Sequence, residues 1–380
     1  MNARSAGTAR SETPRWVVAL MSVAGANAAP LAESGTELVG APVGRGPRLL
    51  RKGPFSRHPL AGFVVRRAAA GLVTLLVASF VIFLATNALP GNVAETVLGR
   101  NATRASVAHL DRELRLNQPL LQRYGTWLGG AVRGDLGRSA VAVAQQDTQT
   151  SVGAIIGKPL GNSLILAAIT MILLVPLSLL AGTFAAVYAA RPPDYAISYT
   201  SLVFGAVPEF VLGTLLIVVF FSLLGLFPPV VLVPPGTSPL SDVNALVLPV
   251  LTLLGVSLAF CARQVRAGVL VTLRQDYVTM ARLGGIRESR VLWRYALRNA
   301  VAPSIQSFAQ TLQYLFGGII VVETLFTYPG VGSLLVQAVS TRDVTEVQSI
   351  TLVLAAAFIA INIVADLLVV AFVPKLRTQV

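Results

Sequence analysis

Apolar residues in this chain come as long unbroken runs separated by short polar or basic stretches, without the alternation of a half-buried strand. A helix needs ~20 apolar residues to cross a bilayer. Six segments reach about that length, near 68–89, 161–189, 197–223, 244–262, 303–322 and 349–372. They predict an all-α polytopic membrane protein with six transmembrane helices. The first, Ala68–Leu89, carries no charge, and Leu89-Pro90-Gly91 stops it because neither proline nor glycine continues a helix cheaply.

The segments between the runs differ in kind. Residues 1–59 are rich in Ala, Gly, Pro, Ser and Arg with no sustained period, and predict a disordered basic cytoplasmic tail ahead of a membrane domain at 60–380. Within the tail, Arg15–Ala29 resembles a signal peptide, with a basic start, a short apolar core and an A-x-A ending. Cleavage there would put the basic segment ending in Arg66-Arg67 outside, so an uncleaved tail is the preferred expectation. In the 90–160 loop, Leu110–Leu116 and Leu120–Val132 have helical composition, split by the turn signal Asn117-Gln118-Pro119. They predict two short helices over the outer mouth. The proline-rich stretch from Phe227 to Gly236 is expected to be extended and stiff.

Composition supports a membrane protein. The chain has 54% hydrophobic and 12% charged residues, about half the charge fraction of a soluble domain. Its net charge of +13 does not indicate nucleic acid, because the arginines flank apolar spans and no nucleic-acid motif accompanies them. Arg66, Arg67, Arg191 and the eight arginines from Arg263 to Arg298 mark cytoplasmic segments, whereas the 224–243 loop has no Lys or Arg. Both termini and the 263–302 loop are therefore expected in the cytoplasm, and the 90–160 loop outside. One cysteine, Cys261, allows no disulfide framework, and two isolated histidines argue against a metal site.

No hydrolase, metalloprotease or paired-carboxylate arrangement is present, and no phosphate-binding loop. The chain is therefore not expected to be an enzyme or to hold a cofactor. If transport is ATP-driven, ATP and Mg belong to partner chains. Between the fourth and fifth runs, residues 275–283 and 288–300 predict two short helices joined by Gly284-Gly285, a pair that permits a positive-φ turn. Glu288 opens the second helix, where Arg290, Arg294 and Arg298 follow at i, i+4 and i+8 on one face. This hairpin reads either as an interfacial helix whose arginines meet anionic lipid or as a coupling element for a cytosolic motor.

Three carboxylates lie in or at the ends of apolar runs. Each would cost at least ~2.5–3.5 kcal/mol in hydrocarbon. Pro208, Glu209, Glu323 and Asp366 are the pathway candidates, and Glu209, directly after Pro208, is the foremost, since Pro208 also frees a backbone carbonyl. Glu323 ends the fifth run and is expected at a water-accessible interface. Asp366, one turn after Asn362, is expected in a structural or subunit contact near the cytoplasmic face. Small residues such as Gly182, Gly205, Gly213 and Gly255 allow close helix approach, so a dimeric permease core is expected.

The hairpin resembles the EAA loop of ABC importer permeases, in the form of the dipeptide/oligopeptide/nickel branch. Thr279-Met280-Ala281 stands at the E-A-A positions and Gly285 at the motif glycine. Arg263, Arg266 and Leu273–Tyr277 upstream, and Arg294, Ala296–Ala300 and Pro303 downstream, match the same wording. Further matches are Asn117-Gln118-Pro119-Leu120, Arg133–Gly137, Val322-Glu323-Thr324, Phe326-x-x-Pro329-Gly330-x-Gly332, Arg342-Asp343, Val347-Gln348, Asn362 and Asp366. The likeness covers roughly 60–377. Departures are Thr279 in place of glutamate, Asn92 and Val373 in place of common aspartates, Glu209 in place of a small polar residue, and the segment 140–158.

The resemblance implies an inner-membrane permease that works with a second homologous permease, two ABC ATPase subunits and an extracytoplasmic solute-binding protein. It implies uptake of peptides or similar small solutes, with the hairpin docked on an ATPase. An ion-gradient-driven secondary transporter would instead show inverted repeats and midplane ionisable groups. A non-transporting assembly subunit would tolerate changes at Gly285.

Overall fold

The computed structural model of the chain describes residues 59–88, 98, 102–113, 117–145, 150–234 and 237–372. The expected tail before Pro59, the Leu89-Pro90-Gly91 stop, Asn92, Pro235-Gly236 and Val373 lie outside the described residues. Regular structure among the described residues is helical, apart from one isolated β-bridge between Arg138 and Ser151.

Among the described residues, five helices are long and apolar enough to cross a membrane. They are α1 (Pro59–Asn87), α5 (Val152–Val187), α8 (Val243–Leu273), α11 (Arg298–Leu325) and α13 (Val344–Phe372). The predicted run at 197–223 is broken. It forms α6 (Pro192–Ala206) and α7 (Glu209–Leu216), extended by π-type turns to Leu223, and the two halves are bent by 107°. The span count is five, or six if the bent pair makes one crossing. The break sits at Pro208, whose ψ of 149° is extended rather than helical and which has no N–H to continue the ladder.

Helix α8 is the centre of the bundle, with 72% of its most apolar window buried, against 11% for α1 and α13. Packing α8 closely on α5 requires Gly182, where a Cβ would meet the Ala262 carbonyl oxygen at 2.6 Å. Arg266 locks α6 to α8. Its Nε and Nη2 donate to the two carboxylate oxygens of Asp194 at 2.5 and 2.7 Å, and Asp194 also accepts from the Ala190 backbone N–H. Helix α8 continues past the predicted end at 262, with Val265 and Val269 buried in a core cluster and the charge of Arg266 matched by Asp194. Helices α1 and α13 pack together at the edge, with outward faces such as Leu72, Val73, Val77 and Val364 exposed, as lipid-facing helices require.

Short helices close the ends of the bundle. In the long loop, α2 (Arg104–Glu113) and α3 (Leu120–Val132) flank the predicted turn at 117–119, followed by α4 (Ala140–Ala144). The Tyr124 ring on α3 packs edge-on against Phe80 and Phe83 of α1, and its hydroxyl lies 2.9 Å from the Ser79 hydroxyl. Helix α12 (Val331–Ser340) was not expected, because its ten residues fall below spanning length. It packs between α11 and α13.

Candidate functional site

The hairpin after α8 is built from α9 (Asp276–Leu283) and α10 (Glu288–Arg290). Helix α9 ends in a Schellman motif. The Ile286 N–H donates to the Ala281 carbonyl at 3.2 Å and the Gly285 N–H to the Arg282 carbonyl at 3.0 Å. The residue that must turn left-handed is Gly285, at φ 75°, while Gly284 keeps φ −74°. Ile286 then folds back onto the buried cluster Val278, Ala281 and Val291, which holds the two legs together. Arg282 and Glu288 pair across the turn at 2.5 Å, and that hydrogen bond holds the Glu288 carboxyl below its ordinary value. Asn299 Nδ2 donates to the Tyr277 hydroxyl at 2.9 Å, a second tie.

The second leg is not the plain α-helix expected. Residues Val291–Leu297 wind as a π-helix and run without a break into α11. The buried positions explain the winding. Val291 and Ala296 are both fully buried and five residues apart, a spacing that i→i+5 winding puts on one face. The α-helical spacing expected for Arg290, Arg294 and Arg298 is correspondingly altered. Arg290 and Arg294 are exposed, while the side chains of Arg298 and Pro303 lie outside the described residues. Of the three E-A-A positions, Ala281 points inward and Thr279 and Met280 outward. The outer surface is apolar as well as basic, with Met280 66%, Leu283 77% and Trp293 61% exposed.

A second constellation lies on α11, the least apolar of the five straight spans. Gln306, Gln310, Tyr314 and Gly317 form an exposed stripe along one of its faces. Glu209, the first residue of α7 after Pro208, reaches this face. Its carboxylate accepts from the Tyr314 hydroxyl and lies against Gly318. A cavity of 710 Å³ opens here, lined by Glu209, Tyr314 and Gly318 together with Thr74 of α1 and Thr351 of α13. A partly exposed carboxylate on the Tyr314 hydroxyl does not suit lipid, so this face belongs against water or a partner.

The other two carboxylates are structural. Glu323, expected at a watery interface, is fully buried. It accepts from the Ser163 hydroxyl of α5 and from the backbone N–H groups of Gly332 at 2.7 Å and Ser333 at 3.3 Å. It thereby caps α12, whose first-turn donors would otherwise be orphaned. Ser163 in turn accepts from the Val331 N–H at 2.9 Å, and Asn162 donates to the Pro329 carbonyl at 2.8 Å. The Tyr328 hydroxyl donates to the Asn162 carbonyl at 2.7 Å, and burial pushes its phenol upward. Asp366 pairs with Arg67, tying the start of α1 to the end of α13. Those two ends therefore lie on the same side of the bundle. The Asn162–Ser163 pair and Tyr314 were not singled out from sequence, and Asp343, named there only in the Arg342-Asp343 match, accepts from the Ser139 hydroxyl at 2.5 Å.

Comparison with known proteins gives a consistent result. Residues 175–378 match the family model of the binding-protein-dependent transport system inner membrane component, and residues 60–148 match the N-terminal model of such membrane components. The oligopeptide transport system permease protein AppB of Bacillus subtilis strain 168 is 31% identical over 320 residues, covering 84% of this chain and 100% of AppB. The glutathione transport system permease protein GsiC of Escherichia coli O6:H1 is 34% identical over 319 residues, covering 84% of this chain and 99% of GsiC. With its apolar spans, basic hairpin and fourfold match in length and order, the chain belongs to the binding-protein-dependent transport system inner membrane components, the permease subunits of ABC importers.

Proposed function

We propose that this chain is one of two permease subunits of a peptide importer in the inner membrane, with six crossings and both termini in the cytoplasm. It works with a second homologous permease, two ABC ATPase subunits that bind ATP and Mg, and an extracytoplasmic solute-binding protein. The hairpin at 276–297 docks on an ATPase, and nucleotide-driven closure is transmitted through it to α11. Peptides are the favoured solutes because the relatives named above carry oligopeptides and glutathione. Membership of this family weighs against the ion-gradient-driven and non-transporting alternatives.

The observation that carries the reading is the hairpin surface. Met280, Leu283 and Trp293 stand exposed beside Arg290 and Arg294 on a turn internally fixed by Gly285 and the Val278–Ala281–Val291 cluster. A rigid, basic knob with an apolar tip is suited to a cleft on a soluble protein.

Gly285→Val tests it. A Cβ at Gly285 would meet nothing within 4 Å, so sterics against neighbours are not the issue. At φ 75° a β-branched residue is strained by about 1–2 kcal/mol or more, and the Schellman turn is lost. Reduced ATPase co-purification or uncoupled ATP hydrolysis is expected, while Gly285→Asn, which tolerates this φ, retains coupling. An intact complex with normal solute-stimulated hydrolysis in Gly285→Val would refute the assignment.

A further inference from the structure

The proposed pathway face carries two opposite charges, and among the described residues only one of them has a partner. Glu209 accepts from Tyr314 at the edge of the 710 Å³ cavity. A second cavity of 260 Å³ is lined by Arg263, Ser257, Gln310 and, again, Tyr314. Arg263 is exposed and makes no hydrogen bond or ion pair among the described residues, unlike Arg266 one turn later, which is bound to Asp194. Ser257 is 2% exposed, and its hydroxyl, at this second cavity, has no hydrogen-bond partner. Native interiors rarely leave such a hydroxyl unsatisfied. Tyr314 lines both cavities, so they adjoin along α11.

We infer that this face is a bipolar binding track for a zwitterionic solute, with Glu209 receiving an ammonium group and Arg263 a carboxylate. Gln310, Tyr314 and Ser257 supply the polar groups between the two ends. The charges are placed for a short free peptide. Gln310, beside Arg263, and Gly318, beside Glu209, are eight residues apart on one helix, about 12 Å at ~1.5 Å per residue. That matches about three to four residues of extended peptide. An arginine suits a terminal carboxylate because its planar fork can donate two parallel hydrogen bonds. The assignment deepens the proposed peptide-import function and rests on it. It adds a site of charge recognition in the permease itself, apart from the separate binding protein.

The test uses the complete transporter with its binding protein in proteoliposomes. The probes are tri-alanine, N-acetyl-tri-alanine and tri-alanine amide. Loading of each probe on the binding protein is titrated separately, and uptake is expressed per loaded binding protein. The wild type is expected to favour tri-alanine over both capped forms. Glu209→Gln should lower tri-alanine uptake about tenfold and leave N-acetyl-tri-alanine unchanged. Arg263→Gln should lower tri-alanine uptake similarly and leave the amide unchanged, and Glu209→Asp should restore part of the loss. Equal uptake of free and capped probes by the wild type would overturn the track even if the variants fail to assemble. Equal loss of all probes in the variants would overturn it as well, as would loss of the second permease from the Glu209→Gln complex, which would place Glu209 in a subunit contact. Failure of the wild type to take up any of the three probes would instead count against the peptide-import reading.

Discussion

Glu323 offers the sharpest test of how the end of the bundle remote from the hairpin is held. Replacing it by alanine removes the acceptor for the Gly332 and Ser333 N–H groups and for the Ser163 hydroxyl. The site is fully enclosed, so water does not readily take the place of the carboxylate. A buried donor left unpaired costs about 1–3 kcal/mol, so the two backbone groups together give about 2–6 kcal/mol, falling mainly on local opening of α12. Even the low end, about 2 kcal/mol, corresponds to roughly a 30-fold rise in the open population. Hydrogen exchange of a peptide spanning 327–340, in lipid nanodiscs, should accelerate by at least that factor, with peptides from α8 as an unchanged internal reference. Glu323→Gln retains one acceptor oxygen and should show a smaller effect. Ser163→Ala, which leaves the Val331 N–H unpaired, should accelerate the same peptide without adding fully to Glu323→Ala, because the two residues share one network. Unchanged exchange in Glu323→Ala would refute the capping role.

Two further outcomes follow from the same structure. Asp194→Asn should lower the thermal unfolding midpoint of the detergent-purified protein, because it leaves Arg266 without its bidentate partner. The cost should lie toward the low end of the roughly 3–5 kcal/mol seen for breaking buried pairs, since the Arg266 side chain is 30% exposed; an unchanged midpoint would show that the pair does not fasten α6 to α8. Deleting residues 1–55 should preserve membrane insertion and uptake, because this stretch has no apolar period and the family match begins at residue 60; loss of insertion would assign it a structural role.

The spans were legible because nothing but a bilayer or a partner tolerates runs such as Ala68–Leu89, and the hairpin turn was legible because Gly284-Gly285 interrupts a basic, helix-forming stretch. What failed depended on contacts distant in sequence. Glu323 at the end of an apolar run looks wet until Ser163 and the backbone of Gly332 are brought around it. The charge of Arg266 reads as the end of a span until Asp194 is found beside it, and α8 runs on to Leu273. Pro208 was read as freeing a carbonyl but not as the hinge of a 107° bend, because a proline fixes its own φ without fixing where the next helix goes. Tyr314 gave no signal at all. An aromatic residue in an apolar run is ordinary core until a carboxylate from another helix is found at its hydroxyl.

The separate features converge on α11. The hairpin feeds into it through the π-wound segment at Val291–Leu297, with no loop between. Its middle carries the exposed stripe of Gln310, Tyr314 and Gly317, and its far end delivers Glu323 to the cap of α12. From Arg298 to Glu323 is about 38 Å at ~1.5 Å per residue, enough to cross the hydrocarbon core of a bilayer. A force applied at Trp293 or Leu283 is therefore not relayed through a chain of side chains. On the proposed docking, it acts on one end of a rod whose other end is fastened by Glu323, with the proposed track between them. The winding at 291–297 is then the natural place for compliance, since π-type turns have poorer continuity with the α-helix on either side and recur at functional sites. That arrangement explains why α11 can be the least apolar straight span and still be held in place. Its polar face is left exposed beside the 710 Å³ cavity, while its buried face, through Leu315, Ile319 and Val322, stays in the central core.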